Sequence, residues 1–237
     1  MHFTIKTTLL SYFTCLALAQ INLQSVYTNS ENTSTKAIFP FIAAPAMPVL
    51  NAQSQGLICR TSNLKYTDSP LTVSAGSQLH LTWAAGMSPI TNKPLLGPCT
   101  VYFSSVKDNP ASASWFKIYE RGYVANKWCS EAALSGPFTM VIPQNITAGD
   151  YRMRVEVIDL RNAATNGNLD PSMGPHFYVN CAMLTVTGAS NGAGTVKPSL
   201  VAIGSVYKNP KGLSIDGSNP GQAASFKIPG PSAYPSS

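Results

Sequence analysis

The residues best suited to chemistry in this chain are His176 and Tyr178, which are separated by a single residue. Alternate side chains of a β-strand point to the same face, so this imidazole and this phenol would lie side by side. The pair could contribute to a metal site, although two donors are too few to hold a metal alone. His80 lies in the alternating run 78–83, on a separate strand that nothing connects to His176. An ordinary hydrogen-bonded pair is therefore the favoured interpretation.

A second candidate pair is formed by Arg154 and Glu156, which follow the turn at residues 148–150. A carboxylate beside a base can carry out acid–base chemistry. A same-face ion pair on a strand is the simpler interpretation, and we favour it. A glycosidase would need two carboxylates that face one cleft, and the acidic residues of this chain form no such pattern. Hydrolysis is therefore not predicted.

Short runs of β-branched and aromatic residues, separated by turn formers, must position these candidates. They predict strands over residues 23–28, 79–83, 100–104, 115–119, 138–142, 151–160 and 177–186. Along 151–157 apolar residues alternate with charged ones, which gives one apolar and one charged face. This pattern predicts an all-β fold, an antiparallel β-sandwich. The Pro-rich stretch 36–54 should cross the surface, whereas apolar residues after Gly188 should pack onto the domain.

The amino-terminal segment has the pattern of a secretory signal. Lys6 precedes an apolar run that ends in Ala17-Leu18-Ala19, and the alternative is a buried first strand. We expect residues 1–19 to be a signal peptide and residues 20–237 to form one secreted, extracellular domain. No later stretch reaches the roughly 20 apolar residues of a membrane span, so no membrane partner is predicted.

The cysteines and sequons agree with export. Four cysteines remain beyond the expected signal, which favours two disulfides and leaves three connectivities open: Cys59, Cys99, Cys129 and Cys181. Asn32 and Asn145 begin glycosylation sequons. The net charge of +6 comes from scattered residues without a dense basic patch, so nucleic acid is not an expected partner.

Several motifs follow one another in an order typical of a known family. They are Leu57-Ile58-Cys59, Gly97-Pro98, Trp115-Phe116-Lys117-Ile118, Pro143-x-x-Ile146-x-x-Gly149-Asp150-Tyr151, Arg154-x-Glu156-x-Ile158-x-Leu160, Phe177-Tyr178-x-x-Cys181-Ala182, Val186-Thr187-Gly188 and Ile228-Pro229-Gly230-Pro231. From residue 20 onward the chain resembles auxiliary activity family 9, the fungal lytic polysaccharide monooxygenases formerly classed as glycoside hydrolase family 61. The resemblance implies an immunoglobulin-like antiparallel β-sandwich with long surface loops. It also implies a disulfide between Cys59 and Cys181, which leaves Cys99 to pair with Cys129.

Active members of that family hold copper in a brace made by the amino-terminal histidine and a second histidine. The resemblance places Gln20 and Leu96 at those two positions. Arg161 stands for an outer histidine and His176 for a glutamine, while Tyr178 matches the axial tyrosine. Glutamine has no imidazole and leucine has no lone pair. We therefore expect a degenerate site with no metal ligands, no confident catalytic residue and no copper cofactor.

Aromatic side chains that could stack on a sugar are also scarce. The aromatic residue that family members present late in the chain falls within 214–217, where this sequence has none. Tyr207 and Tyr234 are nearby alternatives, and core packing is the favoured interpretation of both. Core packing is likewise expected for Trp115, and packing on a disulfide for Trp128.

These observations predict a secreted, monomeric relative of the lytic polysaccharide monooxygenases that lacks copper-oxidase activity. We expect it to bind a cell-wall polysaccharide such as cellulose or β-glucan, or another surface partner. Two alternatives remain: an active copper-dependent monooxygenase that cleaves cellulose or a related glucan, and a cell-wall structural or adhesion protein.

Overall fold

The computed structural model describes residues 22–29, 37–38, 48–60, 69–83, 94–161, 163, 174–188, 197–208 and 210–234. Three features of the sequence lie outside these residues: the expected signal peptide, Gln20 and the sequon at Asn32. Among the described residues there is no helix with the length and apolar character needed to cross a membrane.

Strands dominate the described part of the chain. They are β1 (Leu23–Thr28), β2 (Leu71–Ser74), β3 (Gln78–Trp83), β4 (Cys99–Ser105), β5 (Phe116–Arg121), β6 (Tyr123–Val124), β7 (Lys127–Trp128), β8 (Phe138–Val141), β9 (Gly149–Asp159) and β10 (His176–Thr187). The helices are short: α1 (Gly56–Cys59), α2 (Cys129–Ser135), α3 (Ile203–Val206), α4 (Pro220–Ser225) and a 3-10 turn at Pro210–Leu213.

Two sheets form a sandwich, as expected for an all-β fold. The larger sheet has the strand order β2-β10-β9-β4-β5, and the smaller has the order β1-β3-β8. Strand pairs are antiparallel except for β2, which runs parallel to β10. Leu81 of β3 and Val155 of β9 belong to the core between the sheets, and both are fully buried. Burial of such side chains contributes roughly 1.5–3 kcal/mol each to folding.

The predicted strands agree with the observed ones within two residues at each end. The prediction missed β2, β6 and β7. The first has only four residues and the other two have two residues each, which is too short for a recognisable alternation.

The outer face of the large sheet is covered rather than solvated. Ile203, Tyr207 and Leu213 of the late chain are buried in a second apolar cluster with Leu57 and Phe177. The prediction that the late chain packs onto the domain is therefore confirmed. The stretch 36–54 follows the surface only in part, because Val49 pairs with Phe177 through two backbone hydrogen bonds of 2.8 and 3.1 Å.

Two disulfides tie strands of the large sheet to short helices. Cys59 at the end of α1 is bonded to Cys181 of β10, with their Cα atoms 5.4 Å apart. Cys99 of β4 is bonded to Cys129 at the start of α2, with their Cα atoms 5.6 Å apart. The first is the pairing that the family resemblance implied, and the second is the one expected by elimination.

Candidate functional site

A polar cluster lies where β9 ends and β10 begins. Asp159, the last residue of β9, stands opposite His176, the first residue of β10. The Arg161 guanidinium binds the Asp159 carboxylate through Nε, 2.9 Å from Oδ1, and through Nη2, 2.6 Å from Oδ2. The carboxylate is buried, and the arginine side chain is 11% exposed. We call this ion pair and its neighbours Leu96, His176 and Tyr178 the β9–β10 site.

The segment before β4 reaches the same site because of a glycine. Leu96 donates its backbone N–H to Asp159 Oδ1 over 3.4 Å and accepts the backbone N–H of Leu160 over 2.8 Å. The next residue, Gly97, lies so close to β9 that an added Cβ would be 1.7 Å from the carbonyl oxygen of Ile158. Only glycine permits this approach. The Leu96 backbone thus stands beside Asp159, whereas its half-buried side chain packs against the second apolar cluster and offers no metal donor.

Tyr178 completes the polar cluster from β10. It points to the same face of the sheet as His176, as expected for residues two apart on a strand. Burial raises the pKa of the Tyr178 phenol, and the Asp159 carboxylate raises it further, whereas Arg161 and Arg60 lower it. The phenol is therefore neutral at physiological pH. The structure brings together four of the predicted site residues, Leu96, Arg161, His176 and Tyr178; the fifth, Gln20, lies outside the described residues.

Two members of this neighbourhood were not predicted. The spacing Asp159-x-Arg161 could have revealed the ion pair, but an acid beside an arginine is a common pattern. Arg60 follows Cys59 and adopts the left-handed conformation with φ of 54°. No sequence pattern points to it, because the disulfide to Cys181 brings it to β10.

The start of β1 lies close to this site. The backbone N–H of Leu23 donates to Oδ1 of Asn180 over 3.1 Å. Asn180 is two residues beyond Tyr178 on β10 and shares its face. The described chain therefore begins beside the β9–β10 site.

The loop at residues 214–217 borders the site on its other side. The backbone N–H of Gly217 donates to the Leu160 carbonyl over 3.3 Å, and the carbonyl of Gly217 accepts the indole N–H of Trp128 over 2.8 Å. The candidate stacking residues near this loop are all buried: Trp115, Trp128, Tyr207 and Tyr234. Core packing was predicted for Trp115, Tyr207 and Tyr234, and this prediction is confirmed. At the β9–β10 site none of these four offers a stacking face to a sugar.

Arg154 and Glu156 form a sealed ion pair on the opposite face of β9. Arg154 Nη2 lies 2.6 Å from Glu156 Oε1, and both side chains are fully buried. Glu156 also accepts hydrogen bonds from the hydroxyls of Thr100 and Tyr207, and Arg154 Nε donates to the Leu57 carbonyl over 2.7 Å. The pair is closed to substrate, which supports the same-face ion pair and not a catalytic dyad.

His80 is engaged elsewhere, on β3 of the smaller sheet. Its Nδ1 lies 2.9 Å from the Thr139 hydroxyl and its Nε2 lies 2.7 Å from Oδ1 of Asn29. The ring also stacks on Tyr27 with centroids 4.9 Å apart. His80 is therefore not brought to His176.

The described residues can be tested directly as copper ligands. The potential donors at the β9–β10 site are the His176 imidazole, the Tyr178 phenol and the Asp159 carboxylate, which Arg161 already occupies. No group of three or more His, Cys, Asp or Glu side chains suited to a metal occurs within the described ranges. Copper prefers nitrogen-rich ligand sets. The described side chains do not make such a set, so a complete copper site would need donors from outside them.

Comparison with known proteins gives a consistent picture. A model of Auxiliary Activity family 9, formerly GH61, matches residues 17–224. The AA9 family lytic polysaccharide monooxygenase C of Aspergillus tamarii is 31% identical over 80% of this chain and 52% of its own length. Monooxygenase E of Podospora anserina is 28% identical over 92% of this chain and 71% of its own. The chain thus spans about half the length of the Aspergillus relative.

Solved structures show the same fold. CvAA9A superposes with a TM-score of 0.72 at 20% identity, covering 91% of this chain and 98% of that one. A cellulose-active polysaccharide monooxygenase from M. thermophila superposes with a TM-score of 0.68 at 21% identity, covering 91% and 99%. At these identities the likeness supports the sandwich fold alone.

The family match corrects one expectation. We expected no cofactor, and this is wrong at the level of the family, because lytic polysaccharide monooxygenases of family 9 are copper-dependent. The expected alignment of Gln20 and Leu96 with the brace positions rests on the resemblance alone and does not outweigh that match. Copper is therefore the cofactor that the matched family implies for this chain.

Proposed function

The chain belongs to Auxiliary Activity family 9, and we propose that it is a divergent, polysaccharide-binding member in which oxidative cleavage is lost. In this proposal Gln20 and Leu96 occupy the two positions of the brace histidines. Residues 1–19 direct export, and residues 20–237 act outside the cell as a monomer. The substrate class is a cell-wall polysaccharide such as cellulose or β-glucan.

The observation that carries the proposal is the ion pair between Asp159 and Arg161. A guanidinium keeps its charge at all relevant pH values and cannot exchange a proton as an imidazole does. It therefore does not reproduce the imidazole of the outer histidine that the family resemblance implies at this position. Asp159 is its counter-ion, so the pair as a whole adds no net charge beside Tyr178.

Leu96 supports the same conclusion from the other side of the site. Its backbone is held by Asp159 and Leu160, so the position of this residue is fixed by the fold. The side chain at that position is aliphatic and has no lone pair to donate. The hydrogen bond between Leu23 and Asn180 brings the start of β1 close to this site.

A second candidate function is oxidative cleavage of a glucan. It is favoured by the names of the Aspergillus and Podospora relatives, both lytic polysaccharide monooxygenases. It would require a ligand set different from the brace. A structural or adhesion role without glycan specificity is the third outcome that the experiment must separate.

The test uses the full chain, exported so that processing occurs naturally and then loaded with copper. Binding is measured by depletion from suspensions of cellulose, chitin and β-glucan, and oxidation by mass spectrometry of the soluble sugars released with ascorbate. The proposal expects depletion by at least one glucan and no oxidised products above a protein-free control. Oxidised products would establish the second candidate, and failure to bind any glycan would leave the structural role.

A further inference from the structure

A small pocket lies at the end of the sandwich remote from the β9–β10 site. Its volume is about 140 Å³, and its walls include Phe116, Tyr151 and Tyr234 with Lys197 at the rim. Tyr151 and Asp159 are eight residues apart on β9, which places them about 27 Å apart along the strand. The pocket is therefore separate from the site discussed above.

The sequon at residues 145–147 forms one edge of this pocket. Ile146 and Thr147 both line it, and Thr147 is exposed. The Tyr234 hydroxyl donates to the carbonyl of Asn145 over 3.1 Å, and the Tyr151 hydroxyl donates to the carbonyl of Thr147 over 2.7 Å. Two tyrosines of the pocket thus fix the backbone of the sequon on both sides of Ile146.

The side chain of Asn145 is not engaged in this arrangement. Asn145 is half-buried, and its amide group makes no hydrogen bond to any residue that the structure describes. The neighbouring backbone turns at Pro143, whose carbonyl accepts the N–H of Ile146 over 3.3 Å. A sequon asparagine on a fixed turn with an unengaged amide is well placed for transfer of a glycan.

The pocket has the size and chemistry of a single sugar ring. Its volume is about half of the smallest pockets that hold drug-sized ligands, which begin near 300 Å³. Aromatic rings present apolar faces on which the C–H groups of a sugar can rest, and a tyrosine adds a polar edge. Lys197 is exposed and can donate to sugar oxygens at the rim.

We propose that Asn145 carries an N-linked glycan whose first N-acetylglucosamine covers this pocket and stabilises the turn at residues 143–147. The occupant is supplied by the chain itself, since Ile146 and Thr147, which directly follow Asn145, are part of the pocket wall. This proposal is independent of whether the β9–β10 site binds copper or a polysaccharide.

The experiment compares three forms of the full chain secreted by a eukaryotic host, all with Asn32→Gln so that only one sequon remains. Peptide mass spectrometry first establishes whether Asn145 is modified. Endoglycosidase H then leaves a single sugar, and peptide N-glycosidase F removes the glycan entirely. We expect the Tm of the single-sugar form to equal that of the intact glycoprotein. The Tm of the sugar-free form should be about 2–4 °C lower, which corresponds to a loss of about 1 kcal/mol in the free energy of unfolding for a chain of this size.

Two further variants serve as controls for this experiment. Peptide N-glycosidase F converts Asn145 to aspartate when it removes the glycan. Asn145→Gln also lacks the glycan but adds no carboxylate, and it should show the same lowered Tm. Lys197→Ala should lower the Tm of the single-sugar form and leave the sugar-free form unchanged. An unmodified Asn145, or equal Tm values with and without the first sugar, would overturn the proposal.

Discussion

Arg161 forms a bidentate ion pair with the carboxylate of Asp159, two residues earlier in the chain. Its Nη2 atom lies 2.6 Å from Oδ2 and its Nε atom lies 2.9 Å from Oδ1. This two-point contact keeps both charges of the ion pair near the Tyr178 phenol, whose pKa the carboxylate raises and the guanidinium lowers. The same carboxylate receives the backbone N–H of Leu96. One acidic residue thus organises three members of the β9–β10 site.

Asp159→Asn should therefore destabilise the protein. The substitution removes the charge partner of a largely buried guanidinium, at an expected cost of about 1–3 kcal/mol. Urea unfolding of the variant and the parent measures this difference. Asp108→Asn removes the same charge from an exposed position and should change stability by less than about 0.5 kcal/mol. Equal effects of the two substitutions would contradict the role given to Asp159.

Glu156→Gln should have a larger effect than Asp159→Asn. It leaves the fully buried Arg154 without its charge partner, which typically costs about 3–5 kcal/mol. Thr100→Val removes only one hydrogen bond, of 3.2 Å, to the same carboxylate and should cost about 1 kcal/mol. Chemical unfolding of both variants measures the two losses in unfolding free energy. A larger loss for Thr100→Val than for Glu156→Gln would show that the ion pair is not closed to water.

Tyr102→Phe should leave stability unchanged or raise it slightly. The Tyr102 hydroxyl is buried and has no hydrogen-bond partner among the described residues. Removing such a group relieves a desolvation cost of about 1 kcal/mol or more. A loss above about 1 kcal/mol in urea unfolding would show that the hydroxyl has a partner.

The same variant should change the response to alkaline pH. Burial raises the pKa of Tyr102 above the ordinary tyrosine value of 10.0, with Glu156 adding to the effect. Above pH 10 the unfolded chain releases this proton before the folded chain does, so stability falls as pH rises. A Tm series from pH 8 to pH 11 should fall less steeply for Tyr102→Phe than for the parent. Parallel curves would contradict this assignment.

Gly97→Ala should disrupt the close packing of the segment before β4 against β9. The added methyl group would meet the Ile158 carbonyl at 1.7 Å, so the backbone must move, at a cost of about 3 kcal/mol or more. Gly204→Ala is the matched control, because Gly204 lies in a helix with open space around it. That substitution should stabilise by up to about 1 kcal/mol. A mild effect of Gly97→Ala in thermal unfolding would show that the segment is not fixed.

Much of the fold follows from local patterns in the sequence. The alternation of Tyr151, Met153 and Val155 with polar neighbours predicted β9, since a strand must bury one face. The motifs around Cys59 and Cys181 led to the observed disulfide because the pairing is a property of the family resemblance. Both signals lie in the identity and spacing of neighbouring residues.

Other features could not be predicted, because they depend on distant parts of the chain. Alternation gives Arg154 and Glu156 a common face but does not tell whether water or a second layer covers it. That face is buried because Tyr207 and its neighbours fold back over the sheet. Arg60 acts on Tyr178 because a disulfide delivers it there, and no pattern around residue 60 signals this.

The central claim is that Gln20 and Leu96 occupy the brace positions, and copper titration by calorimetry tests it most directly. The parent and the double variant Gln20→His/Leu96→His are compared after mass spectrometry has shown that each begins at residue 20. Two added imidazoles should tighten copper binding at least tenfold over the parent. Equal affinities, with the parent binding one copper as tightly as the variant, would contradict the assignment.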